Sequence, residues 1–360
     1  MENNHYDLSG KTIIFDATDQ SLTSINDKLP ELNEGEILVR NEFVTLCKSD
    51  LNTYAGVRKE KNPTILGHEI VGRIAAFYEN IPSTDDVGIK LAIGDRITWG
   101  IYASDPNSRL AKQGIPQKGE NLFKYGHEQY HEQSTFHGGL SEYTIIRKFT
   151  PVVKLEESVP LKIAAIINCA VATVAGAFRL AGDVQNKKVL ILGVGMLGIT
   201  ACAFAASSGA KSVAASDIDV ERLKLAYRFG ADGLFEIGDL QSTAEQQKFD
   251  VIMDFSGMPE SMELSLKRLK IGGTTVWVGA TFPQRPLNIE AEQVVRNLHI
   301  IKGLHNYNRD DLLTAVEFIT KNHSVYPFAE LIKDGFTLDE TQQAFDFALN
   351  FKPFRAGITI

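Results

Sequence analysis

Hydrophobic and polar residues alternate in short runs over about the first 155 residues, which is the pattern of half-buried β-strands. The clearest runs cover residues 35–46, 67–77, 94–102 and 140–146, and each is rich in β-branched or aromatic residues. This part of the chain is therefore predicted to be β-rich. Residues 105–135, rich in Lys, Gln, Gly and His, lack such a pattern and are expected to form a long surface excursion.

From about residue 160 the pattern changes to alternating helices and strands. Apolar residues at helical spacing cover 162–181. Predicted strands then alternate with predicted helices; the strands cover 187–195, 211–217, 249–257 and 272–280, and the helices 196–210 and 220–231. Two amphipathic helices and a last strand, 355–360, follow. The succession predicts an α/β fold with a doubly wound parallel sheet.

Composition narrows the class of protein. A length of 360 residues exceeds one usual hydrophobic core, so two domains are expected. The net charge of −8 argues against nucleic acid or an anionic membrane as the main partner. No run approaches the ~18 apolar residues that span a bilayer, and the first residues do not have the pattern of a secretory signal. Three widely spaced cysteines argue against a disulfide framework, so we expect a cytoplasmic protein.

A glycine motif follows the first strand of the α/β region. Gly193, Gly195 and Gly198 form G-x-G-x-x-G between a predicted strand and a predicted helix. Such glycines allow a tight turn, close approach of a pyrophosphate and close packing of the helix. Asp217 ends the next strand, where a carboxylate would bind ribose hydroxyls and repel a 2′-phosphate. The motif predicts a dinucleotide site that favours NAD over NADP.

A second set of residues has the chemistry of a zinc site. Cys47 ends an apolar run, His68 lies about twenty residues later, and Cys169 precedes the dinucleotide region. Thiolate and imidazole are ligands that Zn²⁺ prefers, and a catalytic site needs three protein ligands. Spacing alone does not exclude that these three are ordinary core residues. For Cys202, a core position is the interpretation that we favour.

Taken together, the segments CKSDLNTYAG, GHEIVGRI, GDRITWG, HGGLSEY, NCAVATVAGAF, GVGMLG, RFGAD and FRAGITI resemble the medium-chain zinc alcohol and polyol dehydrogenases, in the family's order. The resemblance implies a β-rich GroES-like catalytic domain over residues 1–170 and an NAD-binding Rossmann domain over 171–306. Residues 307–360 would return to complete the catalytic domain. It also implies that Cys47, His68 and Cys169 bind the catalytic zinc.

The same resemblance implies roles for further residues. Glu69 matches the carboxylate beside the metal, Asp50 the acid that orients the ligand histidine, and Ser49 the hydroxyl that hydrogen-bonds the substrate oxygen. For the cofactor, the matching positions are Thr173 behind the nicotinamide, Arg222 near the adenosine ribose and Arg355 at the pyrophosphate.

Two departures from the family pattern have consequences. The positions that often carry four structural-zinc cysteines hold Asp105, Ser108, Ala111 and Gly119. We therefore expect one catalytic zinc per subunit and no structural zinc. Asn52 replaces a histidine that in many relatives passes the alcohol proton towards solvent, so the proton would leave by Ser49, the cofactor ribose and water; a plain turn residue is equally compatible.

Residues 114–118, 122–128 and 168–178 resemble a subgroup associated with phosphonate metabolism. A phosphonate-bearing alcohol or aldehyde would need cations near the zinc, and Lys48, Lys124 and His127 are candidates. The same residues on a solvated loop would have no such role.

The expected activity is reversible hydride transfer between an alcohol and NAD, with an aldehyde or ketone as the oxidised partner. Alternatives are a polyol or amino-alcohol dehydrogenase of the same family, a zinc-free reductase, or a non-catalytic dinucleotide-binding protein. We expect a small-molecule substrate and a homodimer or homotetramer. A strand such as 274–280 near the sheet edge would offer pairing across a two-fold axis.

Overall fold

The structure, a computed structural model, describes residues 9–242 and 247–360, with the backbone alone for 241 and 242. The first eight residues of the predicted catalytic domain lie outside this range. The chain divides into two compact units. The first unit comprises the residues up to Cys169 together with 308–323 and 328–360, and the second comprises 170–307 and 324–327. Residues 324–327 belong to the second unit, which the sequence did not predict.

The secondary structure follows in chain order. The strands are β1 (Ser9–Asp16), β2 (Ser21–Lys28), β3 (Ile37–Leu46), β4 (Glu69–Phe77), β5 (Arg96–Trp99), β6 (Tyr102–Ala103), β7 (Phe123–Lys124), β8 (Tyr143–Ile146), β9 (Val152–Lys154), β10 (Lys188–Leu192), β11 (Ser212–Asp217), β12 (Gly233–Glu236), β13 (Phe249–Asp254), β14 (Leu269–Trp277), β15 (Ile300–Gly303), β16 (Ile332–Thr337) and β17 (Arg355–Thr359). The helices are α1 (Lys48–Tyr54), α2 (Arg109–Lys112), α3 (Leu161–Ala165), α4 (Ala172–Ala181), α5 (Met196–Ser207), α6 (Val220–Arg228), α7 (Ile237–Ser242), α8 (Pro259–Arg268), α9 (Ala291–Arg296), α10 (Arg309–Asn322) and α11 (Thr341–Phe351).

The first unit is built on a seven-stranded sheet in the order β16-β17-β3-β4-β5-β9, with β8 also paired to β3. Its central strand β3 pairs antiparallel with β4, and Thr45 lies opposite Glu69 in the register. Val44 and Leu46 of β3 pack in the hydrophobic core with Ile70 of β4. The register brings the end of β3 beside the start of β4, so the residues that follow and precede these strands lie at one edge.

The second unit confirms the predicted doubly wound parallel sheet. Its strands lie in the order β12-β11-β10-β13-β14-β15, and every neighbouring pair is parallel. The first strand, β10, lies at the centre, and the chain moves outward to one side and then to the other. Its residues Val189 to Leu192 are fully buried, as expected for an apolar strand covered on both faces.

Several elements differ from the sequence-based prediction. The strands β12 and β15 and the hairpin β1–β2 were not predicted, since they are short or largely polar. The edge strands of the parallel sheet are β12 and β15, and β14, which contains most of the strand expected near the edge, lies next to β15. The predicted helix 162–181 is interrupted by a π-helical turn at Ile167–Val171. Leu161–Ala181 is apolar enough to cross a membrane by composition, but 78% of its most apolar window is buried inside the protein, as in a core helix.

Candidate functional site

Two sulfurs and one imidazole converge in the first unit. The ligand atoms of Cys47, His68 and Cys169 all lie within 4.8 Å of one another, and Cys169 Sγ is 3.5 Å from His68 Nε2. Among the described residues this is the one group of three or more His, Cys, Asp or Glu side chains placed to share an ion. The donor set fits Zn²⁺, which prefers thiolate and imidazole ligands.

Local backbone features place each of the three side chains. Cys47 follows β3 and begins α1, and His68 directly precedes β4. Gly67 before it has a positive φ of 87°, a conformation that favours glycine. Cys169 lies within the π-helical turn, and a π-turn inside a helix often occurs at a functional site. Asn168 in the same turn donates hydrogen bonds of 3.0 Å to the carbonyl oxygens of His68 and Trp99, which fixes this turn against the sheet.

Asp50 orients the histidine. Its Oδ1 lies 3.2 Å from His68 Nδ1, and its two oxygens also accept the N–H groups of Gly67 at 3.2 Å and Cys47 at 2.8 Å. With Nδ1 held by the carboxylate, Nε2 points to the sulfurs. Ser49 Oγ lies 3.5 Å from the same nitrogen, so a hydroxyl is available beside the cluster.

Arg355 and Glu69 form a buried ion pair beside Cys47. Arg355 Nε and Nη2 donate to Glu69 at 2.6 and 2.7 Å, and Thr45 Oγ1 donates to the same carboxylate at 2.5 Å. Arg355 Nη2 also lies 3.6 Å from Cys47 Sγ, and Nη1 donates to the carbonyl of Phe354. The sequence did not predict an arginine beside the sulfur. The predicted contact of Arg355 with the pyrophosphate stays a prediction, and all three nitrogens already have partners here.

The two thiols are not equivalent. The pKa of Cys47 is lowered, first by its hydrogen bond with Cys169 and then, against the effect of burial, by the charges of Arg355 and His68. The same hydrogen bond and burial raise the pKa of Cys169. Cys47 is therefore the sulfur already biased towards the thiolate, the form that ligates metals. Cys202, in contrast, is fully buried in α5, and burial raises its pKa to about 12, as expected for a core residue.

Three further polar side chains, His127, Glu60 and Arg58, form a chain of contacts that begins beside His68. The rings of His68 and His127 have centroids 5.1 Å apart, and His127 Nδ1 is 3.4 Å from Glu60 Oε1. Arg58 forms an ion pair with the same Glu60 oxygen. Neither Arg58 nor Glu60 was predicted from the sequence, because a single charged pair in a turn has no distinctive spacing.

The expected surface excursion at 105–135 is partly wrong. Gln117, Tyr125 and His127 in this segment are buried, and β7 pairs with β6. Two of the positions that often carry structural-zinc cysteines in the family, Ser108 and Gly119, have close local contacts. Ser108 caps α2 by accepting the N–H of Ala111 at 3.3 Å, and a Cβ at Gly119 would lie 2.5 Å from Ser104 Oγ.

The glycine motif lies where it was predicted, between β10 and α5 of the second unit. Gly193 has φ 85°, and a Cβ there would lie 2.6 Å from the nitrogen of Ser256. A Cβ at Gly198 would lie 1.9 Å from the Gly193 carbonyl oxygen, whereas one at Gly195 would meet only Arg222 Nη1, at 3.9 Å. The first and third glycines are thus required by packing, and the second leaves the turn open towards a ligand.

Three more predicted cofactor residues lie in β11, α6 and α4. Asp217 ends β11, but its Oδ2 accepts the N–H of Val194 at 2.6 Å, so it also closes the glycine turn. Arg222 in α6 lies 3.5 Å from Asp219 Oδ2. Thr173 lies partly buried near the start of α4.

Comparisons with known proteins agree with this architecture. Residues 33–157 match the alcohol dehydrogenase GroES-like domain, and residues 196–321 match the zinc-binding dehydrogenase domain. The chain is 26% identical to an L-threonine 3-dehydrogenase of Aeromonas hydrophila over 327 residues, covering 88% of this chain and 90% of the relative.

Solved structures show the same fold. An alcohol dehydrogenase from Thermotoga maritima superposes with a TM-score of 0.90 at 24% identity, covering 98% of this chain and 99% of the other. A galactitol-1-phosphate dehydrogenase from Escherichia coli gives a TM-score of 0.83 at 24% identity, covering 97% and 100%. The predicted GroES-like and Rossmann-like architecture is thereby confirmed. With both domain models matched in order over most of its length, this chain belongs to the medium-chain zinc-dependent dehydrogenases and is an oxidoreductase of the alcohol dehydrogenase type.

Proposed function

We propose that this enzyme catalyses reversible hydride transfer between an alcohol carbon and NAD at the cluster of Cys47, His68 and Cys169. The observation that carries the proposal is the convergence of these three ligand atoms within 4.8 Å. A zinc-free reductase would not require two thiols and an oriented imidazole at one point, and neither would a non-catalytic dinucleotide-binding protein.

The chain's own residues have defined tasks in this proposal. Cys47, His68 and Cys169 would hold Zn²⁺, which when bound supplies a Lewis acid for the substrate oxygen. Ser49, whose hydroxyl lies beside His68 Nε2, would relay the proton of the alcohol. Its oxygen accepts that proton while its own O–H proton passes on towards water, and the reverse reaction runs the other way. Asp50 keeps His68 in the orientation that leaves Nε2 free for the metal. Glu69 is paired with Arg355, which also lies beside Cys47.

The proposed cofactor is NAD. The open turn at Gly195 and the N–H groups at the start of α5 provide a site for the pyrophosphate. The Asp217 carboxylate at the end of β11 would repel a 2′-phosphate, which favours NAD over NADP. Arg222 beside the turn is assigned to the adenosine ribose and Thr173 to the nicotinamide.

We propose one zinc ion per chain. A second, four-thiolate site would need cysteines at Asp105, Ser108, Ala111 and Gly119, and the chain has only three cysteines in all. The chain has instead the Ser108 cap of α2, and nearby β6 pairs with β7.

The proposed substrate is a small alcohol that carries an acidic group, such as a phosphonate. An amino alcohol is the second candidate, because an L-threonine 3-dehydrogenase is among the relatives. Of the three candidate side chains, Lys48 is exposed and Lys124 lies in β7. His127 is buried against His68 and Glu60, and this burial lowers its pKa.

Two assays on the purified protein test the proposal. Reduction of NAD is followed over a panel of neutral alcohols, polyols, hydroxyphosphonates and amino alcohols, with NADP as the alternative cofactor. Zinc is counted in the same sample. We expect alcohol-dependent NAD reduction and one zinc per chain; no turnover of any alcohol, or two tightly held zinc ions, would contradict the respective parts of the proposal.

The assembly and the cellular location are also part of the proposal. The edge strand β15 is exposed over its whole length and carries the apolar residues Ile300 and Ile301. We propose that it pairs in a homodimer or homotetramer, which light scattering would test. The three free cysteines favour the cytoplasm.

A further inference from the structure

The loop after α1 carries two opposite charges side by side. Arg58 Nε and Glu60 Oε1 form an ion pair, and His127 Nδ1 lies 3.4 Å from the same oxygen. Burial opposes ionisation of Glu60, but His127 and Arg58 together lower its pKa. The Glu60 carboxylate is therefore charged at neutral pH.

The pair is connected to the metal cluster through His127. The His127 ring lies with its centroid 5.1 Å from that of His68. Gly126 makes this approach possible, because it has φ 75° and a Cβ there would lie 2.7 Å from the Gly67 carbonyl oxygen. The ion pair is thus two side-chain contacts away from a proposed metal ligand.

The loop is also fixed to the helix that carries Ser49. The N–H groups of Val57 and Arg58 both donate to the carbonyl oxygen of Asn52 in α1, at 2.9 and 3.0 Å. The backbone of Arg58 is therefore held at a set position relative to the hydroxyl proposed to accept the alcohol proton.

The ion pair of Arg58 and Glu60 contributes little to the stability of the fold. The side chain of Arg58 is 39% exposed and that of Glu60 is 16% exposed. A partly exposed ion pair usually contributes no more than about 1 kcal/mol. Within the described part of the chain, Glu60 is the one residue with which Arg58 forms an ion pair. Its guanidinium is accessible to a ligand while one carboxylate holds it in place.

We propose that Arg58 and Glu60 recognise the zwitterionic end of the substrate, an amino alcohol that also bears an acidic group. Arg58 binds the carboxylate or phosphonate, and Glu60 binds the ammonium group. This assignment rests on the proposed alcohol dehydrogenase function and names its substrate class.

Charge complementarity separates this class from simpler ones. A purely anionic alcohol would be attracted by Arg58 but repelled by the carboxylate of Glu60. A purely cationic alcohol would be attracted by Glu60 but repelled by Arg58. A zwitterion places an opposite charge on each partner. The sequence-based expectation of a phosphonate is kept only for a molecule that also carries an ammonium group.

A matched series of secondary alcohols tests the substrate class. L-threonine carries both charges, 3-hydroxybutyrate only the acid, 1-aminopropan-2-ol only the ammonium group, and butan-2-ol neither. We expect kcat/KM for L-threonine, or for its phosphonate analogue 1-amino-2-hydroxypropylphosphonate, to exceed each of the other three by at least about tenfold. Comparison of these two compounds identifies the acidic group.

Two substitutions locate the recognition. Arg58→Gln should lower kcat/KM about tenfold to a hundredfold for compounds with an acidic group, and Glu60→Gln should do so for compounds with an ammonium group. For butan-2-ol, which carries neither charge, the loss in either variant should be smaller than for the charged compounds. Lys59→Gln, an equal loss of charge at the exposed residue between them, is the matched control.

Binding without turnover gives a second measurement. L-2-aminobutyrate or 1-aminopropylphosphonate, which lack the hydroxyl, should inhibit butan-2-ol oxidation, whereas butyrate and propylamine should not. The inhibition should weaken in Arg58→Gln, with circular dichroism confirming that the variant is folded; if it is not, Arg58→Lys replaces it.

The outcomes are separable. If no alcohol in the series is oxidised, the proposed function itself is wrong. If butan-2-ol is oxidised but the charged compounds show no preference, or if both variants lower all four activities equally, only the role of Arg58 and Glu60 is overturned.

Discussion

The metal cluster of the first unit and the glycine turn of the second are specified in different ways. The turn is contiguous in sequence, and its shape is fixed by backbone contacts, such as the 1.9 Å that would separate a Gly198 Cβ from the Gly193 carbonyl. The cluster joins residues up to 122 positions apart, Cys47 to Cys169, and depends on buried charges. A short motif therefore suffices to recognise the turn, whereas the cluster exists only once the sheet has formed.

The strongest test of this contrast is Cys47→Ser. Loss of one thiolate should lower turnover roughly 10³-fold or more, because the electrophile is lost, while binding of NADH in the second unit should be unchanged. Turnover, zinc content and NADH fluorescence titration measure the three quantities. Cys202→Ala, which removes a buried thiol of α5, should keep turnover and NADH binding. Substantial turnover in Cys47→Ser would disprove the zinc mechanism.

Arg355→Gln tests the buried charges around the cluster. It would leave the fully buried Glu69 carboxylate without its cation, and the free energy of unfolding should fall by roughly 3–5 kcal/mol. Urea unfolding of the metal-free protein measures this. Arg285→Gln removes an exposed arginine from its ion pairs with Glu260 and Glu263, and it should have little effect. Equal losses of unfolding free energy in the two variants would show that burial does not make the Arg355–Glu69 pair more stabilising than an exposed one.

Near the glycine turn, Asp254 should make stability depend on pH. Burial raises its pKa to about 6, against hydrogen bonds from Ser256 and Gly257. Because the folded pKa lies above the ordinary value of 3.8, the protonated form favours folding. This contribution is complete below about pH 4 and is lost as the pH rises through 6. Asp254→Asn should remove it, a change of about 3 kcal/mol at most, seen as urea unfolding curves of variant and wild type that diverge between pH 4 and 6.

The smallest expected effect is in the turn itself. Gly198→Ala forces α5 away from the Gly193 carbonyl and should raise the Kd of NADH by an amount equivalent to about 1–3 kcal/mol, without changing zinc content. Gly238→Ala, where a Cβ would meet nothing within 4 Å, is the control. A parallel loss of zinc would show that the two sites are less independent than their construction suggests.

Much of the fold could be predicted from the sequence because its patterns are local. The apolar run of β10, the glycines that follow it and Asp217 at the end of β11 lie within 30 residues and appear in the structure in the predicted order. The polar hairpin β1–β2 and the short edge strand β15 could not be predicted, since pairing with neighbours creates them and their own residues carry no clear alternation.

For the site, the sequence by itself determined which groups could bind a metal and a dinucleotide, through side-chain chemistry and glycine spacing. Tertiary structure alone decided that Arg355 lies 3.6 Å from Cys47, that Glu69 is neutralised by it, and that His127 lies beside His68 with Glu60 and Arg58 behind it. The physical reason is that burial and the distance between charges set these interactions, and both arise only when segments remote in sequence pack together.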